Sequence, residues 1–415
     1  MKKILFSSYH NYLDQGSGAA ISARSLLLDL VGKGWSARTI TGSFFDDPRF
    51  ARGDFYATLK KRGLLVDAKR TTARVNDQKV DFDLLQFDDF GVSSKVFLAP
   101  DAFAPNRPCN YISRATGLAF LKLFVDEIRA FRPDYYLTYG GYWAARLAAR
   151  AARRENVKNV FYLCNFAYDD KDLFKEFDSI IVPSEFSRAF YQKRLGIESR
   201  VVPSLIDESK IVASHNTEKY LTFVNPALEK GLYFFAGIAR ELARIRPDVP
   251  VLIVEGRSKI TSRSYLEVAG MLPNVSVMNV SLDPRNIYSQ TRVLLVPSLW
   301  RESFGRVVVE AAMNGIPVVC SDRGALPEVA TDKSCVLSIP SRFTPNSQIV
   351  PDQEEVAPWV EKIIELWDNQ ELRREIGRRS RIASQRFRSA SVSEQTESFF
   401  LELAGKSDAR KKPTF

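Results

Sequence analysis

The sequence contains few residues of the kinds that bind metals or carry redox chemistry. Among 415 residues there are four cysteines and two histidines, His10 and His215. The cysteines stand at positions 109, 164, 320 and 335, with no C-x-x-C spacing, and this favours buried thiols over a zinc or redox site. No apolar run reaches 18 residues, and the apolar stretch at the N-terminus is too short for a signal peptide. We therefore expect a cytoplasmic protein.

The composition indicates a folded, basic chain. Hydrophobic residues make up 45% and aromatic residues 12%, and the length fits two domains of roughly 200 residues each. The net charge of +10 is typical of proteins with an anionic partner, namely nucleic acid, an anionic membrane or a phosphate-bearing substrate. No segment resembles a nucleic-acid-binding motif, so no nucleic acid partner is predicted. The densest basic run, residues 373–388, is either a solvated helix face or a contact with an anionic acceptor or the inner face of a membrane.

Short apolar runs alternate with helical patterns along most of the chain, which predicts doubly wound parallel sheets. Strands are predicted at residues 4–7, 135–139, 160–164, 179–182, 200–202, 220–224, 251–256, 275–280 and 335–339. Helices are predicted at residues 19–31, 142–154, 232–244 and 392–403. Residues 44–115 mix charge pairs with a proline-rich patch, and neither an element nor any chemistry is assigned to them.

The rest of the chain is organised around a strand, loop, helix and strand between residues 294 and 320. Strands are predicted at 294–297 and 316–320, and a helix at 307–313. Glu302 falls in the loop and Glu310 in the helix, so their carboxylates lie at most about 10 Å apart. This spacing suits two hydroxyl-rich parts of one extended ligand, with the helix N-terminus offering N–H groups between them. The alternative is that both are ordinary surface charges.

The same stretch resembles the E-x7-E signature of retaining, nucleotide-sugar-dependent glycosyltransferases of the GT-B fold (glycosyltransferase group 1, family 4 type). Glu302, Ser303, Phe304, Gly305 and Glu310 carry the resemblance, and GIPVVCSDRGALPEV downstream is similar to the family's continuation. In that family the first glutamate faces the donor sugar and the reacting centre. The second holds the ribose hydroxyls. The resemblance thus implies that these five residues belong to a donor site.

Further residues are assigned to the donor site by the same resemblance. Lys230 matches the family's diphosphate-binding lysine, but Asn225 and Pro226 stand where an arginine is usual. Arg257 follows a predicted strand at the sheet edge where ligands of open α/β sheets bind, so it either replaces that arginine or is a plain surface residue. The backbone near Val280 and Ser281 should meet the nucleotide base.

In the N-terminal half, a loop containing Gly16 and Gly18 lies between the first strand and helix. Such a turn can bring backbone N–H groups against phosphate, although it lacks the third glycine of a dinucleotide fingerprint, and the alternative is a turn that binds no ligand. In the family this loop approaches the donor diphosphate and the acceptor. The family's usual histidine after the strand at 160–164 is missing, and Asn165 is the candidate to take its place.

Together these features predict an α/β fold with two doubly wound, Rossmann-like parallel-sheet domains facing across a cleft, as in GT-B proteins. The predicted domains are residues 1–206 on the acceptor side, with a helix at 392–404 packing back on them, and residues 207–391 on the donor side. The sequence PSLID at 203–207 resembles the turn that ends the family's first domain. Residues 405–415 are charged and predicted to be disordered.

The predicted function is retaining transfer of a sugar from a nucleotide-diphosphate sugar to a glycan, a lipid-linked or a small-molecule acceptor. No cofactor and no tightly bound metal are expected, because Lys230, helix N-termini and Arg257 can offset the diphosphate charge. No Asp-x-Asp loop of the metal-using kind stands out. The alternatives are a GT-B hydrolase or epimerase acting on nucleotide sugars, and a non-catalytic nucleotide-sugar-binding subunit.

Overall fold

The chain forms two compact α/β units. The computed structural model describes residues 1–45, 56–57, 59–60, 62–99, 112–140, 143–256, 258, 260, 272–279, 281 and 283–405. Unit 1 contains the described residues of Met1–Pro183, Arg188–Val202 and Ser393–Phe415. Unit 2 contains the described residues of Ser184–Ser187 and Pro203–Val392.

Unit 1 is built on a nine-stranded sheet in the order β3-β4-β5-β2-β1-β6-β7-β8-β9. Its strands are β1 (Lys3–His10), β2 (Ser36–Phe44), β3 (Asp67–Val75), β4 (Gln78–Asp89), β5 (Val92–Leu98), β6 (Tyr135–Thr138), β7 (Lys158–Tyr162), β8 (Ser179–Val182) and β9 (Arg200–Val201). All neighbouring strands are parallel except β3 with β4 and β4 with β5. The parallel strands are almost fully buried, because helices cover both faces of such a sheet.

Four helices follow strands of this sheet, and a fifth comes from the end of the described chain. They are α1 (Gly18–Gly32), α2 (Arg114–Phe131), α3 (Ala145–Arg154), α4 (Glu185–Leu195) and, from the end of the chain, α11 (Ser389–Gly405). Phe399, Phe400 and Leu403 of α11 are buried in the same core as Trp35 and Tyr135. The Tyr135 hydroxyl also donates a hydrogen bond to the carbonyl of Phe400, at 2.7 Å.

Unit 2 is built on a six-stranded, entirely parallel sheet in the order β12-β11-β10-β13-β14-β15. Its strands are β10 (Tyr220–Val224), β11 (Val251–Val254), β12 (Val275–Met278), β13 (Thr291–Val296), β14 (Val318–Ser321) and β15 (Val336–Leu337). Its helices are α5 (Leu232–Ile245), α6 (Arg285–Tyr288), α7 (Arg306–Met313), α8 (Leu326–Val329), α9 (Gln353–Asp368) and α10 (Gln370–Ala383). One core packs α5 and α9 against the sheet, and a second core packs α7 and α8 against it.

The predicted α/β class with two parallel-sheet units is confirmed. Predicted strands 179–182 and 220–224 have the observed bounds, whereas the strand predicted at 160–164 is shifted and lies at Lys158–Tyr162. The strand predicted at 335–339 is only Val336–Leu337, which is the edge strand of its sheet. Position 142, where a helix was predicted to start, lies outside the described residues, and the helix is observed from Ala145.

The region that gave no sequence prediction contains an antiparallel hairpin. Strands β3 and β4 pair from Asp67 to Val75, and Asn76 and Asp77 connect them. Both connecting residues have positive φ, 45° and 62°, which is the backbone of the tight two-residue turns that match strand twist. The hairpin adds antiparallel strands to one edge of an otherwise parallel sheet.

Three of the four cysteines fall within the described residues, and all three are free thiols. Cys320 and Cys335 are buried, and Cys164 is half-buried. Burial raises the pKa of the Cys320 thiol to about 12, so this thiol is protonated at neutral pH. The predicted disordered tail lies outside the described residues from 406 onward. Within the described chain, every helix is too short or too polar to cross a bilayer.

Candidate functional site

The strand order of unit 2 brings the loops after two central strands together at one sheet edge. From β10 the chain runs outward through β11 to β12, whereas β13, β14 and β15 extend in the other direction. Adjacent strands β10 and β13 therefore form the topological switch point of the sheet, where the strand order reverses direction. Because open α/β sheets bind ligands beyond the carboxyl ends of the strands at such a point, this edge is the candidate site.

The loops after β10 and β13 are tied to each other by their backbones. The N–H groups of Leu299 and Trp300 both donate to the Glu229 carbonyl, at 3.0 and 2.8 Å. Gly231 has φ of +83°, and a Cβ there would lie 2.0 Å from the Pro297 carbonyl oxygen. A side chain at position 231 is therefore excluded both by backbone conformation and by the neighbouring loop.

These loops place Glu302 beside Lys230. One carboxylate oxygen of Glu302, Oε1, accepts hydrogen bonds from Lys230 Nζ at 2.6 Å and from the Ser298 hydroxyl at 2.9 Å. The two charged side chains are 15% and 27% exposed, so the pair is partly shielded but open to solvent. The structure thus joins two predicted site residues that lie 72 positions apart in the sequence.

A second contact fixes the backbone of Glu302. Glu302 forms a bridge with Gly324, and its carbonyl accepts a hydrogen bond from the Ala325 N–H at 2.7 Å. A Cβ at position 324 would lie 2.3 Å from the Glu302 carbonyl oxygen, so only glycine permits this approach. The segment after β14 therefore holds the backbone of Glu302 in place.

Helix α7 begins directly after Glu302, Ser303 and Phe304. Gly305 is its N-cap residue with φ of +88°, and no side chain caps the helix or adds an acidic charge to its first turn. The Phe304 ring is buried against Phe387 at 5.4 Å between centroids, so it packs in the core. The N–H groups of the first turn of α7, which starts at Arg306, are of the kind that bind anionic or hydroxyl oxygens.

Glu310 lies inside α7 and is almost fully buried. Its Oε2 accepts a hydrogen bond from the Tyr288 hydroxyl at 2.8 Å, and its Oε1 lies 3.3 Å from Arg306. Burial, followed by the nearby charge of Glu310, raises the pKa of Tyr288 well above its usual value. The interpretation of Glu310 as a solvated helix residue is therefore wrong, since its side chain is only 11% exposed.

Sequence reasoning missed Tyr288, Arg306 and Ser298 as partners of the two glutamates. The i, i+4 spacing of Arg306 and Glu310 is a signal that could have revealed one of them. Tyr288 belongs to a four-residue helix before β13, and nothing in its local pattern points to Glu310.

Other predicted donor-site residues surround the same sheet edge. Asn225 follows β10 with φ of +61°, and its side-chain oxygen accepts a hydrogen bond from the Ser258 N–H at 3.1 Å. The Ser281 hydroxyl accepts from the Asp283 N–H at 3.2 Å and donates to the Asp283 carbonyl at 2.8 Å. Arg257 and Val280 lie outside the described residues.

The predicted glycine loop of unit 1 follows β1. The Gly16 N–H donates to Asp14 Oδ1 at 2.8 Å, and a Cβ at Gly18 would meet nothing within 4 Å. Asp14 also accepts from His10, which is hydrogen-bonded to the Tyr139 hydroxyl as well. Asn165 is exposed after β7, and its side-chain oxygen accepts from the Ala167 N–H at 3.1 Å.

The acidic residues of the site are not gathered in the manner of a metal centre. Across the described parts of both units, no three histidine, cysteine, aspartate or glutamate side chains cluster closely enough to hold a metal ion.

Comparisons with known proteins identify relatives of this chain. Residues 206–382 match the family model of glycosyl transferases group 1. A lipopolysaccharide 1,2-N-acetylglucosaminetransferase of Salmonella typhimurium is 25% identical over 205 residues, which is 43% of this chain and 53% of that protein. A component of human phosphatidylinositol N-acetylglucosaminyltransferase is 28% identical over 148 residues, 34% of this chain and 30% of that protein. The chain thus matches about half or less of the length of these curated relatives.

Solved structures share the fold over nearly the whole chain. A glycosyltransferase from Rickettsia africae has a TM-score of 0.68 at 14% identity, with 98% of this chain and 99% of that chain covered. HepE of Anabaena, in complex with UDP and glucose, has a TM-score of 0.65 at 17% identity, with 97% and 100% covered. Sucrose-phosphate synthase from Thermosynechococcus elongatus gives 0.65 at 17% identity, with 98% and 100% covered. The fold is that of GT-B glycosyltransferases.

Proposed function

We propose that this chain, in which residues 206–382 carry the match to the group 1 glycosyl transferases, moves a sugar from a nucleotide-diphosphate sugar to an acceptor with retention at the anomeric carbon. The observation that carries the proposal is the placement of Glu302 at the switch point of the unit 2 sheet, in hydrogen-bonding contact with Lys230 and Ser298. A carboxylate held by two partners and a backbone bridge is preorganised, as a catalytic group must be.

In this proposal Glu302 acts on the donor sugar. In retaining transfer, the nucleotide leaves and the acceptor attacks on the same face of the sugar, so positive charge develops at the anomeric carbon. A nearby carboxylate stabilises that charge. Glu302 uses Oε1 for both of its hydrogen bonds in the structure, so Oε2 is the oxygen that faces the sugar. Because the interaction strengthens as charge develops, it lowers the barrier more than it tightens binding.

Lys230 and Glu310 bind the nucleotide part of the donor. Lys230 stands beside the sheet edge and, with the first-turn N–H groups of α7, offsets the diphosphate charge without a bound metal. Glu310 accepts hydrogen bonds from the ribose hydroxyls. Arg306 and Tyr288 hold its carboxylate in a single orientation and make it a rigid acceptor.

The proposed acceptor is a glycan or a lipid-linked glycan, and unit 1 is its side of the enzyme. The support is twofold: the names of two curated relatives, which refer to lipopolysaccharide and phosphatidylinositol, and the Gly16 to Gly18 loop at the carboxyl end of β1. Donor nucleotides of the UDP or ADP type are supported by the solved relatives bound to UDP and to ADP.

The test is a paired measurement on Glu302→Gln, with the donor first identified by thermal shift against a panel of nucleotide sugars. Turnover should fall about 100-fold or more while donor affinity changes only modestly. Ser298→Ala is the matched control, since it removes one hydrogen bond to Glu302 but leaves the carboxylate. In the same assay, EDTA should leave transfer unchanged. Transfer by Glu302→Gln at near the parent rate would contradict the catalytic role, and donor hydrolysis without transfer would favour a hydrolase.

A further inference from the structure

Helix α3 of unit 1 has one strongly polarised outer face. Its inner face is formed by alanines, with Ala145, Ala148, Ala149 and Ala152 buried. At 100° per residue, the helix positions opposite these alanines are Leu147, Arg150 and Arg154. Trp143 lies in the turn just before the helix. The outer surface therefore combines two large apolar side chains with guanidinium groups.

The apolar part of this face is exposed. Trp143 in the turn before the helix is 41% exposed, and Leu147 in the first turn of the helix is 37% exposed. The Trp143 ring lies against the backbone of α2, where a Cβ at Gly117 would be 2.4 Å from Trp143 Cζ2. One turn along α2 from Gly117, the partly exposed Leu121 extends the apolar surface.

The charges on α3 are all of one sign. The sequence ARLAARAARR contains four arginines and no acidic residue. Arg150 and Arg153 share the carboxylate of Glu176, at 2.9 and 3.5 Å. For Arg146 and Arg154, no hydrogen bond or ion pair from the side chain exists among the residues that the structure describes. The outer face thus keeps a net positive charge next to its two apolar side chains.

The basic run at 373–388, which the sequence offered as a membrane contact, is different. Most of its arginines are engaged within unit 2: Arg373 with Glu218, Arg378 with Glu375, Arg379 with Asp332, Arg386 with the Glu328 carbonyl and Arg388 with Glu208. Arg373 is also buried, at 4% exposure. Much of this positive charge is therefore balanced within the unit.

We propose that the α3 face, formed by Leu147, Arg150 and Arg154, with Arg146 at its flank and Trp143 in the turn before the helix, docks on the surface of an anionic lipid bilayer. Tryptophan and leucine side chains favour the boundary between headgroups and acyl chains, and arginines beside them bind anionic headgroups. A short helix that lies in the interface needs this combination, since neither two apolar side chains nor a few charges anchor a protein alone. The inference does not depend on the proposed function.

The first experiment measures co-sedimentation of the full chain with sucrose-loaded vesicles. Vesicles of phosphatidylglycerol and phosphatidylcholine should bind the protein, and vesicles of phosphatidylcholine alone should bind it far more weakly. Each arginine near an anionic surface contributes about five-fold to partitioning, so Arg146→Ala with Arg154→Ala should reduce it about 30-fold. Absence of binding to anionic vesicles by the wild-type chain would overturn the proposal.

The matched control removes the same charge from another helix. Arg374 and Arg378 are exposed on α10, so R374A with R378A changes the net charge by the same amount and should leave vesicle binding within about two-fold of wild type. Equal losses in the two double variants would mean that net charge alone drives binding, and this would overturn the assignment to α3. Thermal unfolding checks that both variants remain folded.

The second experiment uses the fluorescence of Trp143. The sequence has five tryptophans; Trp35, Trp359 and Trp367 are buried and Trp300 is half-buried, so Trp143 is the most exposed reporter. Anionic vesicles should shift the emission of the wild-type chain to shorter wavelength, and brominated lipid should quench it. Trp143→Phe should lose both responses but keep most of the binding. A shift of the same size in Trp143→Phe would place the contact elsewhere and refute the proposal.

Discussion

At the residue scale, the two glutamates of the candidate site differ in what holds them. Glu302 is fixed through a lysine and a serine from the two joined loops, whereas Glu310 is fixed by a buried tyrosine and an arginine on its own helix. Their spacing of eight positions was visible in the sequence. Lys230 was predicted as a site residue but not as a contact of Glu302, and Tyr288 was not predicted, because both reach the glutamates through strand order and not through local pattern.

Removal of the Lys230 charge should act on the diphosphate more than on the nucleoside. Lys230→Ala should weaken binding of the nucleoside diphosphate by about 1.5 to 3 kcal/mol, since a charge-assisted hydrogen bond is lost, and leave nucleoside binding nearly unchanged. Isothermal titration calorimetry with both ligands measures the difference, and Lys230→Arg is the charge-preserving control. Equal losses of affinity for both ligands would indicate a damaged fold. Unchanged affinity for the nucleoside diphosphate would show that Lys230 contacts Glu302 but not the diphosphate.

The role of Glu310 can be separated from its structural contacts by comparison with Tyr288→Phe. Glu310→Ala should weaken nucleotide binding by about 1.5 to 3 kcal/mol and also lower stability, because the Tyr288 hydroxyl is left buried without its partner. Tyr288→Phe keeps the carboxylate, so it should change nucleotide affinity by less than about 1 kcal/mol. The most specific measurement compares affinities for the nucleotide and its 2′-deoxy analogue. The wild type should bind the 2′-deoxy nucleotide more weakly, and Glu310→Ala should bind the two equally. Retained discrimination in Glu310→Ala would exclude the ribose assignment.

At the element scale, the site depends on glycines that let loops approach each other. Gly231, Gly305 and Gly324 all have positive φ, and at each a Cβ would come within 2.8 Å of another atom. The family resemblance included Gly305, but the reasons for Gly231 and Gly324 lie in contacts with Pro297 and Glu302. Local sequence cannot supply such contacts, because they depend on which loops the sheet topology brings together.

Gly231→Ala should therefore disturb the site as well as stability. The added Cβ meets the Pro297 carbonyl in a backbone conformation that alanine disfavours, so we expect a loss of about 1 to 3 kcal/mol in the free energy of unfolding. Nucleotide binding should fall with it, since Lys230 precedes this turn. Gly32→Ala is the control, because it has open space at the end of α1 and should be neutral or slightly stabilising. Chemical denaturation of both variants measures the change in the free energy of unfolding.

The antiparallel hairpin of unit 1 illustrates the limit of pattern reasoning at this scale. Strand β4 alternates buried and exposed positions only partly, and the Asn76-Asp77 turn lacks the glycine that marks the commonest two-residue hairpins. Most parallel strands were predicted because they are short, apolar and bounded by turns, but β2 and β5 were not predicted. Strands β3 and β4 carry many charged residues, so their sequence resembles that of a loop.

At the scale of the whole molecule, each unit has its own core and its own buried charges, so the two units should respond differently to acid. In unit 1, Glu127 of α2 is 3% exposed and pairs with Arg38 of β2 at 2.7 Å and Lys95 of β5 at 2.5 Å. Burial alone would raise the pKa of Glu127, but the hydrogen bonds from Lys95 and Arg38 outweigh it and hold that pKa below its usual value. The carboxylate thus joins one helix to two strands.

The sign of the pH effect follows from this lowered pKa. Ionised Glu127 contributes stability that is fully present above its unfolded pKa and is lost as pH falls through its folded pKa. Glu127→Gln should cost unit 1 about 3 kcal/mol at pH 7, because two cations lose their partner, and less as pH falls below about 4. Urea unfolding at pH 7 and pH 4 measures this. A pH-independent cost would show that packing, and not charge, is what the substitution removes.

The positions in the sequence of the segments that form each core have a consequence for folding during synthesis on the ribosome. Unit 2 is almost one continuous stretch, whereas the core of unit 1 takes Trp35 and Tyr135 from early in the chain and Phe399, Phe400 and Leu403 from α11. Domains usually fold in the order in which they emerge. Here unit 1 cannot complete its core until α11 leaves the exit tunnel, so part of its apolar surface stays uncovered until then. Unit 2 can complete its core first. A nascent chain stalled before residue 389 would thus have an incomplete core in unit 1, although most of that unit is synthesised first.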